Sequence, residues 1–475
     1  MEEKERLKGN FIFQLLYQAL ILIIPLIVSP YLTRCMGGKA LGTYAYVNSI
    51  AYYFLVLANL GIFRHGQRIV ARDKEEPSAL RRSFWSLYVL HAALSVGVIL
   101  VYGIYFGAIY TGENRKLYLI SALYVLSPLF DVTWLFYGLE KVKAVVVKDA
   151  LIRGAECVAI FSLVHGPEDL NTYTAILASG ALLGQLVMIP QVIALVRPTG
   201  FGWEDVRRHI KPLVLFSAMV IGITMYTVFD KTLLGWMTTK ENVAYYEYAN
   251  KIIGIPRTFV TVIGTVLFPR ACRLAAREDV LGQKRNLQLS TQVVGFIGCA
   301  SMFGLLAVGD LLAVVYFGPA FQTAGDVVKA MCALPLIIGL GDVLRTQYLI
   351  PYQKDKEMFG CIALNAAVNL VLSCGLTPIL GIYGVVIGTC CSELVGLVIQ
   401  MILCRRFVAS VMLLGNTVPF LAIGGVMYGA VRLVARAPYT GLQSLLLQIG
   451  VGAGVYCGLT LVYIGAVKLL RKNQH

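Results

Sequence analysis

The sequence predicts an all-α polytopic membrane protein with about fourteen transmembrane helices. Of its 475 residues, 58% are hydrophobic and only 14% are charged, and the mean hydropathy is +0.73. A soluble domain of this length needs more charged surface. Apolar runs recur at about the 20 residues that a helix needs to cross roughly 30 Å of hydrocarbon. The runs alternate with short polar connections, so the chain crosses the bilayer many times.

The apolar runs group into two six-helix lobes followed by two further helices. We expect an N-terminal lobe over residues 1–211, a C-terminal lobe over 212–411 and the additional helices over 412–475. The expected spans are 10–33, 43–63, 84–106, 117–137, 145–165, 172–196, 212–236, 244–268, 288–315, 323–349, 358–379, 383–403, 416–434 and 442–467.

The two lobes share a layout that predicts a parallel pseudo-two-fold relation. The first span of each lobe ends in a polar cluster, Tyr31–Arg34 in one and Phe229–Thr232 in the other. A short turn and a span that opens on tyrosines follow each cluster. Both segments start on the same side of the bilayer, so the axis runs along the membrane normal. Such a pair of lobes predicts a central cavity.

The distribution of basic residues predicts the orientation. The N-terminus, the C-terminus and the connections on their side hold 28 of the 41 Lys and Arg residues, and the connections on the other side hold 6. The positive-inside rule therefore places both termini in the cytoplasm. The formal net charge of +15 is explained by these loops, so a nucleic-acid partner is not expected.

The connections are too short for a catalytic or nucleotide-binding domain. None exceeds about 20 residues, and the motifs of P-loops, serine hydrolases and zinc proteases are missing from the sequence. These features favour a transporter over an enzyme, with no catalytic residue. The eleven cysteines lack metal-ligand spacing and form no disulfide framework. We therefore expect no metal and no cofactor.

Polar side chains within the apolar runs indicate where a substrate binds, because an unpaired amide or charge in hydrocarbon costs several kcal/mol. Gln14, Gln18 and Asn48 make the first two spans one wall of a polar cavity. Asp230 and Lys231 in the seventh span form a second group, with Lys251 and Arg257 in the eighth. A structural Asp–Lys pair with side chains snorkelling to the surface is the alternative.

Further charged residues lie near the span ends and in other spans. Arg34 lies near the outer face, and Arg64 and Arg68 near the inner face; ordinary interfacial anchoring is the alternative for them. Arg153 and Glu156 are three residues apart and can pair on one helix face. The candidates for binding a coupling proton or sodium ion, with charge balancing as the alternative, are Asp131, Asp230, Asp310, Asp342 and Glu393.

The opening region is similar to that of Wzx-type oligosaccharide flippases, which belong to the multidrug/oligosaccharidyl-lipid/polysaccharide exporter superfamily. The family's P-Y-L-[ST]-R-x-x-G…G-x-Y element and its G-I-x-x-x-G-x-R element are both present. Weaker echoes extend the resemblance over essentially the whole chain. The matching residues are Pro30–Arg34, Gly37, Gly42 and Tyr44, then Gly61, Ile62, Gly66 and Arg68, then Asp230, Lys231, Leu234, Gly235, Lys251, Leu267, Pro269 and Arg270.

The resemblance implies a flippase that moves undecaprenyl-diphosphate-linked oligosaccharide from the cytoplasmic to the outer leaflet for cell-surface polysaccharide biosynthesis. It implies the bacterial cytoplasmic membrane, alternating access, and coupling to a proton, sodium or anion gradient. The lipid-linked oligosaccharide, the bilayer and other polysaccharide assembly proteins are the implied partners. The residues expected at the diphosphate are Arg34, Lys231, Lys251 and Arg345, with Arg64 and Arg68 as an inner access site. Those expected at the glycan are Gln14, Gln18, Asn48, Tyr46, Tyr245 and Tyr248.

Three other functions stay open. A lipid II flippase would differ mainly in its substrate, and the opening motif favours the oligosaccharide branch. A multidrug cation antiporter of the same superfamily would have an acidic cavity, whereas Lys231, Lys251 and Arg345 make this one basic. A membrane glycosyltransferase or polymerase would need larger outer loops. The sequence does not identify the glycan, the energy source, the oligomeric state or the organism.

Overall fold

A computed structural model of the protein describes the backbone of residues 23–405 and 410–472. The predicted glycan residues Gln14 and Gln18 lie outside these ranges. The chain divides into two compact units, Met1–Gly235 and Trp236–His475. The predicted lobe boundaries at residues 211 and 411 stay predictions. Throughout both described ranges, the regular structure is helical, without a β-strand.

Among the described residues of the first unit, ten α-helices begin. They are α1 (Ile23–Cys35), α2 (Gly37–Asn59), α3 (Ile62–Asp73), α4 (Pro77–Ile104), α5 (Arg115–Leu126), α6 (Thr133–Gly138), α7 (Val142–Leu163), α8 (Leu170–Leu186), α9 (Ile189–Leu195) and α10 (Trp203–Met237). A π-helical turn, Tyr105–Ile109, extends α4, and a 3₁₀ turn, Ser127–Phe130, follows α5.

The break between α2 and α3 explains the glycines of the G-I-x-x-x-G-x-R element. Gly61 has φ = 73°, a left-handed conformation that glycine adopts without a steric penalty, and it separates α2 from α3. Gly66 lies under the Trp134 ring, where a Cβ would come within 2.5 Å of Cε3. Residues 64–73, expected as part of a connection, are helical instead, because the apolar face of α3 packs on the core around Trp134.

The second unit consists of eight helices within the described ranges. They are α11 (Lys240–Ala276), α12 (Val280–Phe317), α13 (Gln322–Met331), α14 (Leu334–Leu344), α15 (Asp355–Leu380), α16 (Ile382–Cys404), α17 (Ser410–Val434) and α18 (Gly441–Lys472). A π-helical turn, Arg345–Leu349, extends α14. The buried core of the second unit joins α12 to α14, α17 and α18 through residues such as Val294, Leu336, Phe420 and Tyr456.

The described helices agree with a polytopic membrane protein. Ten helical segments of the described residues are long and apolar enough to cross a bilayer, three of which join two of the named helices (α2 with α3, α5 with α6 and α8 with α9). A bent pair, Pro319–Met331 with Leu334–Leu349, makes an eleventh. The 42° bend lies just before Pro335, which sits in the first turn of α14, where a missing N–H costs little. Helices overlap all fourteen expected spans within the described ranges, although the count of fourteen itself stays a prediction. All eleven cysteines are free thiols.

Candidate functional site

In the first unit, α2 and α10 meet through hydroxyl groups that lie in apolar helices. The Ser49 and Thr232 hydroxyl oxygens are 3.0 Å apart, and Thr232 donates to the Tyr53 hydroxyl at 3.3 Å. One turn away, the Tyr46 ring lies directly over Gly235. Hydrogen bonds between helices satisfy polar groups that lipid cannot. This contact fixes the α10 segment that carries two predicted site residues.

Those two residues, Asp230 and Lys231, directly precede Thr232. Asp230 is buried, Lys231 is half-buried, and Asn48 on α2 is half-buried as well. The structure therefore brings Lys231 and Asp230 beside the helix that carries Tyr46 and Asn48. A cation, a carboxylate, an amide and phenol groups lie within a few turns of one helix contact, which suits a substrate that has both phosphate and sugar.

Arg34 lies away from this contact, at the end of α1. It is exposed, and its Nη1 donates to the Pro30 carbonyl at 3.1 Å. Three residues earlier in the same element, the Tyr31 hydroxyl donates to the Val164 carbonyl at 2.6 Å. The 23 residues of α2 extend about 35 Å, so Arg34 and Arg64 lie at opposite ends of that helix. The structure thus separates these two cations, and which of them lies near the outer face stays a prediction.

At the end of this unit that carries Arg64, a cavity of about 520 Å³ lies between α3 and α10. We call it the basic cavity. Three arginines and two histidines line it, namely His65, Arg68, Arg72, Arg208 and His209. Arg64 is exposed and is not among the lining residues, so the structure separates the two members of the predicted inner access site.

A chain of hydrogen bonds forms the floor of the basic cavity. His65 Nε2 is 3.1 Å from His209 Nδ1, and His209 Nε2 is 3.0 Å from the Ser86 hydroxyl. His65, His209 and Ser86 are all buried. Burial, reinforced by His65, Arg208 and Arg72, lowers the pKa of His209 to about 4. His209 therefore lies as a neutral imidazole at neutral pH, ahead of the expected span 212–236.

Sequence analysis assigns no role to Arg72, Arg208 and His209, which lie in segments expected to be basic loops. The spacing of Arg64, Arg68 and Arg72 is a signal that was overlooked. Residues four apart share one face of a helix, and the apolar residues between them form the opposite face. The pairing of α3 with α10 has no comparable signal in the sequence.

A second polar cavity in the first unit, of about 370 Å³, is lined by charges that are paired with one another. Arg153 binds Glu156 at 3.0 Å, which confirms the expected pairing on one helix face. Lys148 binds Asp149 at 2.6 Å. The predicted ion-coupling residue Asp131 lies nearby in sequence and accepts hydrogen bonds from the Thr133 backbone and hydroxyl at 2.9 and 2.6 Å. It thereby caps α6.

In the second unit, Lys251 lies over an aromatic ring. Its Nζ is 4.1 Å from the centroid of Tyr248, a cation–π distance. The Tyr248 ring is buried edge-on against Phe317 and Phe321, at 5.1 and 5.2 Å between centroids. Tyr245 is half-buried and also packs against Phe321. Tyr248 thus positions Lys251, and the expected role of Tyr245 and Tyr248 in glycan binding stays a prediction.

Arg345 begins the π-helical turn and pairs with Asp342, three residues before it. The Asp342 side chain is 8% exposed and that of Arg345 is 38% exposed. Asp342 faces Gly264 on α11. Since Gly264 is thirteen residues from Lys251, the two cations lie about 20 Å apart along α11. One diphosphate does not span that distance, so the structure does not bring Lys251 and Arg345 together.

A buried amide network supports the π-helical turn. The Asn286 amide donates to the Gln347 side-chain oxygen at 3.0 Å, and Gln283 and Ser290 complete the network. π-helical turns often occur at functional sites. The sequence does not indicate this turn, because polar and apolar side chains follow one another in Arg345–Leu349 without a distinctive pattern. Its rigid support holds Arg345 in place.

The remaining predicted acids lie apart from these cations. Asp310 binds Lys329 at 2.6 Å, and Asp326 binds the same ammonium at 2.9 Å. Glu393 on α16 is half-buried. In the ranges that the structure describes, no group of three or more His, Cys, Asp or Glu residues could hold a metal ion.

Comparisons with known proteins identify the family. Residues 7–275 match the family model described as polysaccharide biosynthesis protein. The chain belongs to this family. Residues 156–447 also match the model described as lipid II flippase MurJ. Together the matches place the protein among the Wzx-type flippases of the multidrug/oligosaccharidyl-lipid/polysaccharide exporter superfamily.

Individual members agree with this placement. The chain is 24% identical to a proposed O-antigen transporter of Shigella dysenteriae, over 82% of this chain and 97% of that protein. It is 22% identical to a second one, of Escherichia coli, over 79% and 91%. A solved lipid II flippase MurJ, in an inward closed conformation, has the same fold with a TM-score of 0.79 and 13% identity, covering 96% and 99% of the two chains.

Proposed function

We propose that this lipid-linked oligosaccharide flippase carries an undecaprenyl-diphosphate-linked oligosaccharide from the cytoplasmic to the outer leaflet, for cell-surface polysaccharide biosynthesis. The similarity to O-antigen transporters over nearly their whole length carries the proposal. The residues are compatible with it: a diphosphate needs cationic partners, and Lys231 lies beside the α2 contact that carries Asn48 and Tyr46. The polyprenyl tail stays in lipid.

The proposed cycle is alternating access without catalysis or a bound cofactor. Arg34, Lys231, Lys251 and Arg345 would contact the diphosphate in different states, since about 20 Å separates the last two along α11. The energy would come from a proton, sodium or anion gradient, with the acidic residues named above as candidates. The proposed location is the bacterial cytoplasmic membrane with both termini in the cytoplasm. Other polysaccharide assembly proteins are proposed partners, and nucleic acid is not.

Transport in proteoliposomes tests the proposal. Purified protein is reconstituted with a fluorescent lipid-diphosphate oligosaccharide, and its movement between leaflets is measured for the wild type, Lys251→Ala and Arg34→Ala. We expect the wild type to transport and both variants to lose most transport, whereas Arg277→Ala, an exposed cation in a turn, keeps it. Normal transport by both variants would remove these cations from the site, and efflux of organic cations alone would overturn the flippase proposal.

Lipid II transport is a second candidate, because the match to the MurJ model covers residues 156–447. The same proteoliposomes loaded with lipid II distinguish the two. We expect slower transport of lipid II than of a longer lipid-linked oligosaccharide. Faster transport of lipid II would assign the protein to cell-wall synthesis instead.

A further inference from the structure

The basic cavity holds more cations than its neighbouring acids can balance. Arg72 binds Asp73 through two hydrogen bonds of 2.6 and 3.0 Å. Arg208 lies 3.7 Å from Asp205 and donates to the Ser83 hydroxyl at 3.1 Å. Each guanidinium has five N–H donors, so both retain donors for a ligand.

Arg68 differs from the other two arginines. Within the described ranges it makes no hydrogen bond or ion pair, yet it lines the same cavity as Arg72 and Arg208. Like charges that share a cavity repel one another, and here two carboxylates accompany three guanidinium groups. The excess charge favours an anionic ligand.

The floor of the cavity is polar. His65 and His209 are 6% and 1% exposed, and they bond to each other and to Ser86. Neutral imidazoles supply a polar but uncharged floor. The volume of about 520 Å³ falls within the roughly 300–1,000 Å³ of small-molecule sites, so an anion larger than chloride fits.

An exposed tryptophan near the cavity favours a position at the level of lipid head groups. Trp203 begins α10 five residues before Arg208, about 7.5 Å along the helix, and its side chain is 69% exposed. Exposed tryptophans concentrate at membrane–water interfaces. The phosphates of lipids lie at the same depth, and arginine binds phosphate oxygens in a bidentate manner.

We propose that the basic cavity binds the phosphate group of a lipid through Arg68, Arg72 and Arg208. Two lipids share this chemistry, an anionic phospholipid of the bilayer and a prenyl diphosphate of the substrate class. The site does not depend on the proposed transport. It lies entirely within the first unit and is distinct from the α2–α10 contact.

Binding to full-length protein in a non-ionic detergent tests the site. Dioctanoyl phosphatidylglycerol, farnesyl diphosphate and inorganic diphosphate are each titrated calorimetrically, with dioctanoyl phosphatidylcholine as the neutral comparison. We expect saturable binding of at least one anionic lipid. Arg68→Gln, Arg72→Gln and Arg208→Gln should each weaken it about tenfold or more, since each removes a charge-assisted hydrogen bond.

Arg207→Gln is the matched control, because Arg207 is exposed like Arg208 and precedes it on α10, but does not line the cavity. It should change affinity less than about twofold, because an exposed charge outside the site contributes little. If Arg208→Gln unfolds because it loses Ser83, Arg68→Gln remains informative, since Arg68 has no such contact among the described residues. Binding by phosphatidylglycerol alone assigns a bilayer lipid, and binding by farnesyl diphosphate alone assigns the substrate class. Absence of saturable binding by all three probes, or equal losses for Arg207→Gln and the three lining variants, would overturn the site.

Discussion

The basic cavity of the first unit and the cations of the second unit use arginine and lysine in opposite ways. In the second unit, Arg345 is held by Asp342, and Lys329 by two carboxylates. In the basic cavity, Arg68 and its neighbours outnumber the acids beside them. Local pairing makes a charge in an apolar helix tolerable, because it offsets the desolvation cost. An unbalanced cluster needs a ligand or open water.

It follows that the number of charges in a membrane helix is a weak indicator of a ligand-binding site. Arg153 and Glu156, like Arg345 and Asp342, are three residues apart and satisfy each other. A ligand can bind those cations whose charge is not fully neutralised by neighbouring carboxylates. Four predictions test this comparison, in order of decreasing expected loss of stability.

Removing Arg345 should have the largest effect. Arg345→Ala leaves the Asp342 carboxylate, 8% exposed, without its cation, at a cost of as much as about 3 kcal/mol after allowance for the partly exposed guanidinium. Thermal unfolding in detergent measures this loss. The double variant Arg345→Ala with Asp342→Asn should recover most of the stability. If Arg345 also contacts the diphosphate, transport stays lost in the double variant; recovery of both stability and transport would make the pair purely structural.

Adding a methyl group under Trp134 should disturb the frame of the basic cavity. In Gly66→Ala the new Cβ would lie 2.5 Å from Cε3 of the ring, and such overpacking costs about 1–3 kcal/mol. Gly97→Ala is the control, because nothing lies within 4 Å of its new Cβ on α4. It should be neutral or slightly stabilising. Equal unfolding temperatures for the two variants would show that α3 moves freely away from Trp134.

Lowering the pH should destabilise the first unit through His209. Its pKa is about 4 in the folded protein and about 6.5 when unfolded. Between these values the unfolded state binds a proton that the folded state does not, so stability falls as the pH falls below 6.5. The loss is roughly 2 kcal/mol at pH 5. The unfolding temperature of His209→Gln should decrease less between pH 7 and pH 5 than that of the wild type. Parallel decreases would show that His209 does not contribute.

Weakening an exposed pair of the second unit should have the smallest effect. Asp326 and Lys329 have side chains that are 42% and 30% exposed, and Lys329 keeps Asp310 in the Asp326→Asn variant. We expect a loss of about 0.5 kcal/mol or less, measured by thermal unfolding. A loss comparable to that of Arg345→Ala would mean that Lys329 depends on both acids.

Part of the candidate site follows from the sequence and part does not. Polar residues in apolar runs pointed to Lys231, Asp230 and Asn48, and the structure places them at or near one helix contact. The same rule treated Lys251 and Arg345 alike, although packing along α11 separates them. Charges in expected loops received no weight, so Arg72 and Arg208 were missed.

The all-helical membrane class follows from the amino-acid sequence alone, as do the pairing of Arg153 with Glu156 and the positions of the apolar spans. These properties depend on hydropathy, on backbone conformation and on spacing within a few turns, all of which are local. The tertiary structure was needed to show that Arg68 and Arg208, 140 residues apart, line one cavity. It was also needed to show that Arg64 does not line it. The reason is physical: the packing of α3 on Trp134 and the histidine contact between α3 and α10 set the rotation of each helix, and that rotation selects which arginines face each other.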